Sequence, residues 1–211
     1  MISRRLEKYI TDHISHEDPV LEDLYRQTHI RFVNPNMASG HSQGKLLEMI
    51  SIMIRPEYIL EIGTFTGYSS ICLAKGLKKG GTLFTIEIND ELADFTGPYF
   101  EKAGFGSVIK QLTGNALEVI QELDYMFDLV FIDGDKKEYI AYYNSVRKKV
   151  KPGGFIIADN VLWGGKVLES GNTDQQTSGI IEFNELIRND ESVDKIIIPL
   201  RDGLTIMRTL Y

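Results

Sequence analysis

The sequence has almost no cysteine. A single thiol, Cys72, stands among 211 residues in the apolar run Ile71-Cys72-Leu73-Ala74. That excludes an internal disulfide and marks a buried helix position rather than a redox or metal site. No uninterrupted apolar stretch approaches the roughly 18 residues of a membrane span, and the first ten residues mix charge with apolar side chains at helical spacing. The expectation is a cytoplasmic protein with no membrane partner. Basic charge is also scarce: 23 Lys and Arg against 30 Asp and Glu give a net charge of −7. Nucleic-acid binding by phosphate neutralisation is thereby disfavoured, and a small-molecule partner favoured. No internal repeat or low-complexity segment is present.

At 43% hydrophobic residues, a chain of this length can bury one α/β core, so residues 1–211 are expected to form a single domain. From Tyr58 onward, short Ile-, Phe- and Val-rich runs alternate with amphipathic stretches, the pattern of β-α units on a parallel sheet. The runs predict strands at 58–62, 82–88, 108–112, 127–132 and 154–158, with helices at 68–78, 90–103, 116–123 and 136–150. Pro152-Gly153-Gly154 stops the last helix. The tail differs, because 195–199 and 204–208 are two β-like runs joined by Leu200-Arg201-Asp202-Gly203, whose Asp-Gly signals a hairpin. The prediction is a doubly wound, Rossmann-like, seven-stranded and mostly parallel sheet with an antiparallel C-terminal strand, spanning 56–211. Residues 1–55 look mainly helical, broken at Pro19, Pro35 and Gly40, and are expected to cover the sheet's ligand-binding edge.

Leu60-Glu61-Ile62-Gly63-Thr64-Phe65-Thr66-Gly67-Tyr68-Ser69-Ser70 ends the first strand with two glycines and opens a helix. Backbone N–H groups and the helix dipole converge at such a loop. A dinucleotide site would read G-x-G-x-x-G, whereas Gly63 and Gly67 stand four apart behind an acidic residue. Glu61 is unsuited to a pyrophosphate and well suited to an ammonium. Glu87 ends the second strand, where a carboxylate can accept both ribose hydroxyls of an adenosine. The ligand should therefore carry an adenosine and a cation without a pyrophosphate. Here the chain resembles the class I S-adenosylmethionine methyltransferases, and the resemblance implies that Gly114-Asn115-Ala116 is an adenine-contacting turn, with Ala116 beside the cofactor.

Phe131-Ile132-Asp133-Gly134-Asp135-Lys136 and Ile157-Ala158-Asp159-Asn160-Val161 each place carboxylates at the C-terminal end of an apolar strand. Adjacent parallel strands would bring those ends into one crevice. Carboxylates that close repel unless a cation joins them, and Asp and Asn oxygens suit Mg²⁺, with Mn²⁺ or Ca²⁺ as substitutes. Taken singly, either acidic tip could be a helix cap.

Asp133-Gly134-Asp135-Lys136 with Tyr139, followed by Asp159-Asn160-Val161-Leu162-Trp163, resembles the caffeoyl-CoA O-methyltransferase-like family, which includes catechol O-methyltransferases. The likeness runs from Met37-Ala38-Ser39 and Gln43-Gly44 to Asp202-Gly203. It implies Asp133, Asp159 and Asn160 as metal ligands and Lys136 as the catalytic base. It also implies Ser39, Glu61, Ser69 and Glu87 as cofactor contacts, with Asp133 facing the cofactor as well, and a homodimer. The plant pattern has Asp-Ala-Asp-Lys where Gly134 stands here. The long loop expected after Trp163, with 166–181 in it, holds one basic residue, Lys166, so it lacks a cluster for the phosphates of coenzyme A.

The reading is metal-dependent methyl transfer from S-adenosylmethionine to a hydroxyl of a small catechol-type phenol. A free phenol has a pKa of about 10. Chelation lowers it, and Lys136 takes the proton if the cation and burial depress its own pKa. Met37 and Trp163 are expected as apolar walls for the ring and methyl group, with His41 outside the site. The rival readings are methylation of a hydroxylated tRNA base, a non-catalytic adenosine-ligand binder and, disfavoured by glycine spacing, a nicotinamide oxidoreductase.

Overall fold

Seven short strands build one sheet, and their order sets where a ligand can enter. The computed structural model describes residues 4–169 and 174–211. The strands are β1 (Tyr58–Ile62), β2 (Thr82–Glu87), β3 (Ile109–Thr113), β4 (Phe127–Ile132), β5 (Val150–Ala158), β6 (Val193–Ile198) and β7 (Leu204–Thr209). They lie in the order β3-β2-β1-β4-β5-β7-β6. The first five run parallel, and β7 is antiparallel to both its neighbours. The chain winds outward from β1 to β3 and then returns to lay β4 on the other side of β1. That reversal opens a crevice at the C-terminal ends of β1 and β4. The fold class, with its antiparallel C-terminal strand, agrees with the sequence expectation, and the strand order is added by the structure.

The helices are α1 (Arg4–His13), α2 (Pro19–Arg31), α3 (Gly40–Ile54), α4 (Tyr68–Ala74), α5 (Ala93–Lys102), α6 (Ala116–Glu122), α7 (Tyr139–Arg147) and α8 (Gln175–Asn189). Both faces of the sheet are covered, so the central strands are apolar on both sides. Leu60, Ile62, Val130, Ile132 and Ile156 face a core closed by α6, α7 and α8. Ile59, Leu83, Leu129, Phe131 and Ile157 face the other, closed by α2, α3, α4 and α5. Helices α2 and α3 are therefore part of the core through Leu21, Leu24, Leu47 and Ile50, more than the edge cover expected of residues 1–55. Among the described residues, no helix is long and apolar enough to cross a membrane.

Several boundaries move. Helix α4 ends at Ala74 and α7 begins at Tyr139 after a single 3-10 turn at Lys136–Glu138. Strand β5 starts at Val150, so Pro152 and Gly153 lie within it rather than before it. The register against β4 shifts between Phe127 and Leu129, and Gly153 takes φ +77°. A proline is tolerated in a strand at such an irregularity. The stretch 166–181, expected as loop, contains the first half of α8, with residues 170–173 outside the described residues. Asp174 caps that helix by accepting from Thr177 N–H at 2.9 Å. Thr177, Ile180, Phe183 and Ile187 form its buried stripe.

Phe183 is fully buried, its ring edge-on to Tyr139 at 5.4 Å and to Tyr143 at 6.2 Å. Phe183→Ala is expected to cost about 3–5 kcal/mol. The check is a lowered urea midpoint at unchanged m value, and a loss under 1 kcal/mol would mean that α8 is not part of the cooperative core.

Candidate active site

The loop after β1 is shaped by how closely β1 and β4 approach. Gly63 sits at φ +98°, and a Cβ there would lie 2.2 Å from the Asp133 carbonyl oxygen, so only glycine fits. Its N–H donates to the Ile86 carbonyl at 3.0 Å. Gly67, at φ +85°, precedes α4, and the Phe100 ring fills the space where its Cβ would project. Between them Phe65 takes φ +46° and donates its N–H to Glu87 Oε2 at 2.8 Å. Glu87 Oε1 accepts from Asn89 N–H at 3.0 Å. The carboxylate at the end of β2 thus pins the loop at the end of β1. Gly114 N–H donates to the Glu87 carbonyl at 2.9 Å, which brings the Gly114-Asn115-Ala116 turn beside the same residue. Asn115 Oδ1 then caps α6 by accepting from Leu117 N–H at 2.8 Å.

Glu61 lies beneath this loop and is 0% exposed. Its Oε2 accepts from Thr85 Oγ1 at 2.6 Å and from Ser70 Oγ, while Thr64 and Thr85 share a hydroxyl bond of 2.6 Å. Oε1 is buried and has no hydrogen-bond partner among the described residues. Burial raises the Glu61 carboxyl to about 7, the charge on Asp133 adds to the rise, and Ser69, Ser70 and Thr85 oppose it. An orphaned buried acceptor costs about 1–3 kcal/mol unless a donor reaches it. A cofactor with a cationic end fits that need. Ser69, in the first turn of α4, and Ser39, ahead of α3, are both nearly buried.

The second half of the site lies across β4 and β5. Ile132 pairs with Ala158, so Asp133 and Asp159 follow at neighbouring strand ends. Asp159 is 3% exposed; its Oδ1 accepts from Asn160 N–H and its Oδ2 from Gln43 Nε2 of α3, each at 2.6 Å. Burial and then the charge on Asp133 raise its carboxyl to about 7. Lys136 Nζ donates to Asp133 Oδ1 at 2.7 Å and to the Tyr139 hydroxyl at 2.8 Å. Tyr139 donates in turn to the Asp159 carbonyl at 3.0 Å. Lys136 feels two opposed effects. Burial alone pushes its ammonium down, but Asp133 and the bond to Tyr139 outweigh burial and hold it above the ordinary lysine range. Asp135 turns away, with Oδ1 accepting from Gln176 Nε2 at 2.8 Å and from Lys137 N–H at 3.2 Å.

Among the described residues, no cluster of three or more His, Cys, Asp or Glu side chains forms a cation cage. The oxygen set that fits a hard ion is instead Asp133, Asp159 and the amide of Asn160. Two carboxylates whose mutual repulsion raises the Asp159 pKa are the feature a divalent ion relieves. Asn160 takes φ +58°, and Trp163 follows at φ +45°, with its N–H on the Asn160 carbonyl at 3.1 Å. The Trp163 ring packs against the core, and its Nε1 is buried without a partner among the described residues. Met37 sits on a 3-10 turn (Pro35–Met37) and is 58% exposed, a surface position rather than a core one. His41 lies outside, its Nε2 2.9 Å from the Ser15 carbonyl.

Two polar residues in the site had no role in the sequence reading. Gln43 precedes Leu47 and Ile50 on the buried stripe of α3, and a lone amide in such a stripe is the signal that marks it. Tyr139 is fully buried, with its hydroxyl between Lys136 and the β5 terminus.

Comparison with known proteins gives the family. The sequence profile of an O-methyltransferase family matches residues 11–210. A catechol O-methyltransferase of Niastella koreensis is 31% identical over 204 residues, covering 94% of this chain and 91% of its own. A probable caffeoyl-CoA O-methyltransferase of Arabidopsis thaliana is 32% identical, over 99% of this chain and 95% of its own. The O-methyltransferase TomG of Streptomyces achromogenes, solved with S-adenosylmethionine, superposes with a TM-score of 0.92 at 31% identity, covering 98% of this chain and 96% of its own. A Bacillus cereus O-methyltransferase solved with S-adenosylhomocysteine gives 0.88 at 30% identity, with 97% of each chain covered. With a cofactor loop, two acidic strand ends and this likeness along its length, the chain belongs to the family of S-adenosylmethionine-dependent O-methyltransferases that includes the catechol and caffeoyl-CoA enzymes.

Proposed function

We propose that this enzyme methylates a hydroxyl of a small catechol-type phenol with the help of a divalent ion, within one domain that acts as a cytoplasmic homodimer. The observation that carries the reading is the pair of carboxylates at the ends of β4 and β5, Asp159 buried and Asp133 partly exposed, with Lys136 bonded to Asp133. A single carboxylate would serve as a cap. Two held together ask for a cation, and a cation at that place asks for an acceptor with two adjacent oxygens.

S-adenosylmethionine supplies an electrophilic methyl group when bound. Its cationic amino-acid end would meet Glu61 Oε1, Ser69, Ser39 and Asp133, its ribose Glu87, its adenine Ala116, and its backbone-facing edge Gly63 and Gly67. A divalent ion, Mg²⁺ first and Mn²⁺ or Ca²⁺ as substitutes, would be held by Asp133, Asp159 and Asn160 and would lower the acceptor pKa as a Lewis acid. The rest is done by side chains. Gln43 fixes the Asp159 carboxylate, and Tyr139 fixes Lys136 Nζ. Lys136 stays charged while Asp133 Oδ1 is 2.7 Å away, and released from that carboxylate its burial favours the neutral amine that takes the acceptor proton. Trp163 and Met37 flank the ring.

Acceptor size is supported by the scarcity of free basic charge. Lys166, the one basic residue of 166–181, pairs with Asp174 at 3.8 Å. A net charge of −7 also favours a small acceptor over RNA. The homodimer is supported by the outward side chains of Met49, Ile52 and Met53 on α3, all exposed, the last two lying three and four residues on from Met49. The cytoplasmic assignment rests on Cys72, a lone thiol in the buried core.

If Glu61 meets the cationic end of the cofactor, S-adenosylhomocysteine affinity should rise as pH rises toward about 7, because the raised carboxyl ionises in that window, and then level off. Glu61→Gln should lose about 1–3 kcal/mol of binding at pH 8 and most of the pH dependence. Calorimetry from pH 5.5 to 8.5 checks both, and identical curves for the two proteins would remove Glu61 from the pocket.

The metal is tested by exhaustive EDTA treatment and add-back of Mg²⁺, Mn²⁺ or Ca²⁺, with circular dichroism following the fold. Turnover of a catechol should vanish and return, a monophenol should react at least 100-fold more slowly, and Asp159→Ala should abolish methylation while cofactor binding persists. Full activity in the metal-free sample, or equal rates for the two phenols, would sink the mechanism.

A further inference from the structure

The tip of the β6–β7 hairpin touches both walls of the acceptor crevice. On one side it holds the segment that follows Asn160. Val161 N–H donates to the Gly203 carbonyl at 3.1 Å and Leu162 N–H to the Asp202 carbonyl at 2.7 Å. On the other side Arg201 reaches the N-terminal part of the chain. Its Nη1 donates to the Ala38 carbonyl at 2.7 Å and to the Ser39 carbonyl, and its Nη2 donates to the Asn36 carbonyl at 2.9 Å. A planar guanidinium can hold several carbonyls at once, which a lysine ammonium at the end of a flexible stem does poorly.

Arg201 does this from φ +51°, in a turn closed by Gly203 N–H on the Leu200 carbonyl at 2.9 Å. Glycine takes that left-handed conformation freely, and residues with a Cβ avoid it. The backbone therefore gives no reason for arginine at 201, and its side-chain contacts give one. All three carbonyls belong to the turn that carries Met37 and Ser39. That turn leads directly into α3, whose Gln43 holds Asp159.

We propose that Arg201 is a positioning residue for methyl transfer, latching segment 36–39 to the hairpin so that the cofactor and acceptor meet a preformed wall. The proposal rests on the reading above that Met37 and Ser39 line the site. It is new to the pattern of strand ends, because the residue acts through backbone carbonyls and not through the reacting groups.

The test compares ligand-free wild type with Arg201→Ala, Arg201→Gly and Arg201→Lys by amide hydrogen exchange. Met37 and Ala38 N–H groups donate to the Asn34 and Pro35 carbonyls, each at 3.2 Å, so their exchange reports on this turn. Exchange there should quicken tenfold or more in the Ala and Gly variants and less in Lys, with 58–132 unchanged. With S-adenosylmethionine, Mg²⁺ and a catechol, KM for the acceptor should rise fivefold or more in Ala and Gly while kcat at saturation stays within threefold. The Gly variant should unfold at or above the Ala midpoint yet share its KM, which separates lost contacts from backbone strain. A merely structural role would lower the midpoint and leave KM in place. Unchanged exchange at 37 and 38 in the Ala variant, or quickened exchange with an unchanged KM, would overturn the proposal. Should wild type methylate no catechol, the acceptor assignment fails on its own. The exchange rates and the S-adenosylhomocysteine dissociation constant, expected to rise at least fivefold in the Ala variant, still decide the latch.

Discussion

The site depends on two carboxylates at adjacent strand ends, one of them held out of water. Asp133 and Asp159 stand where β4 and β5 stop, and Asp159 is nearly inaccessible. A buried charge needs compensation, or it takes up a proton. The protein compensates in part, with one ammonium on Asp133 and two hydrogen-bond donors on Asp159. The remaining imbalance appears as a carboxyl pushed up to about 7. Much of the local architecture serves this pair: Gln43 arrives from α3, Tyr139 comes from α7, and Phe183 of α8 buttresses Tyr139 from behind.

The cofactor loop obeys a related constraint at β1. Glu61 is placed deeper than any solvent-facing role requires, and its one free oxygen looks into the protein. Thr85 and Ser70 bind the other oxygen, so the carboxylate organises its own loop before it meets any ligand. Glu87 acts likewise, since both its oxygens accept backbone N–H groups. Residues that a motif marks as ligand contacts are here also the residues that hold the loop in shape.

Much of this was legible in the sequence, and the reasons differ by residue. Strand ends are legible because an apolar run followed by Asp or Glu marks the point where a buried strand meets solvent, which located Glu87, Asp133 and Asp159. The glycine at 63 is legible because no other residue fits against the Asp133 carbonyl. Helix α8 was hidden by its polar first turn, Gln175-Gln176-Thr177-Ser178, which resembles the loop before it. The start of β5 was hidden by Pro152, whose tolerance depends on a register shift between strands that no local pattern records. The direction of the Lys136 shift is not legible in sequence, because it balances burial against Asp133 at 2.7 Å, and only coordinates set that balance. Arg201 was invisible for the same reason: its partners are carbonyls, which every residue has.

The two halves of the crevice differ in the chain separation of the contacts that build them. The cofactor loop is joined by local links, such as Ser70 to Glu61 nine residues apart and Phe65 to Glu87 twenty-two apart. The acceptor wall is joined by Gln43 to Asp159 across 116 residues and by Arg201 to Ala38 across 163. Closing long loops costs more chain entropy, and contacts across them form late. The acceptor wall is therefore the part of the crevice that closes only when both ends of the chain are in place, with the last hairpin as its clasp.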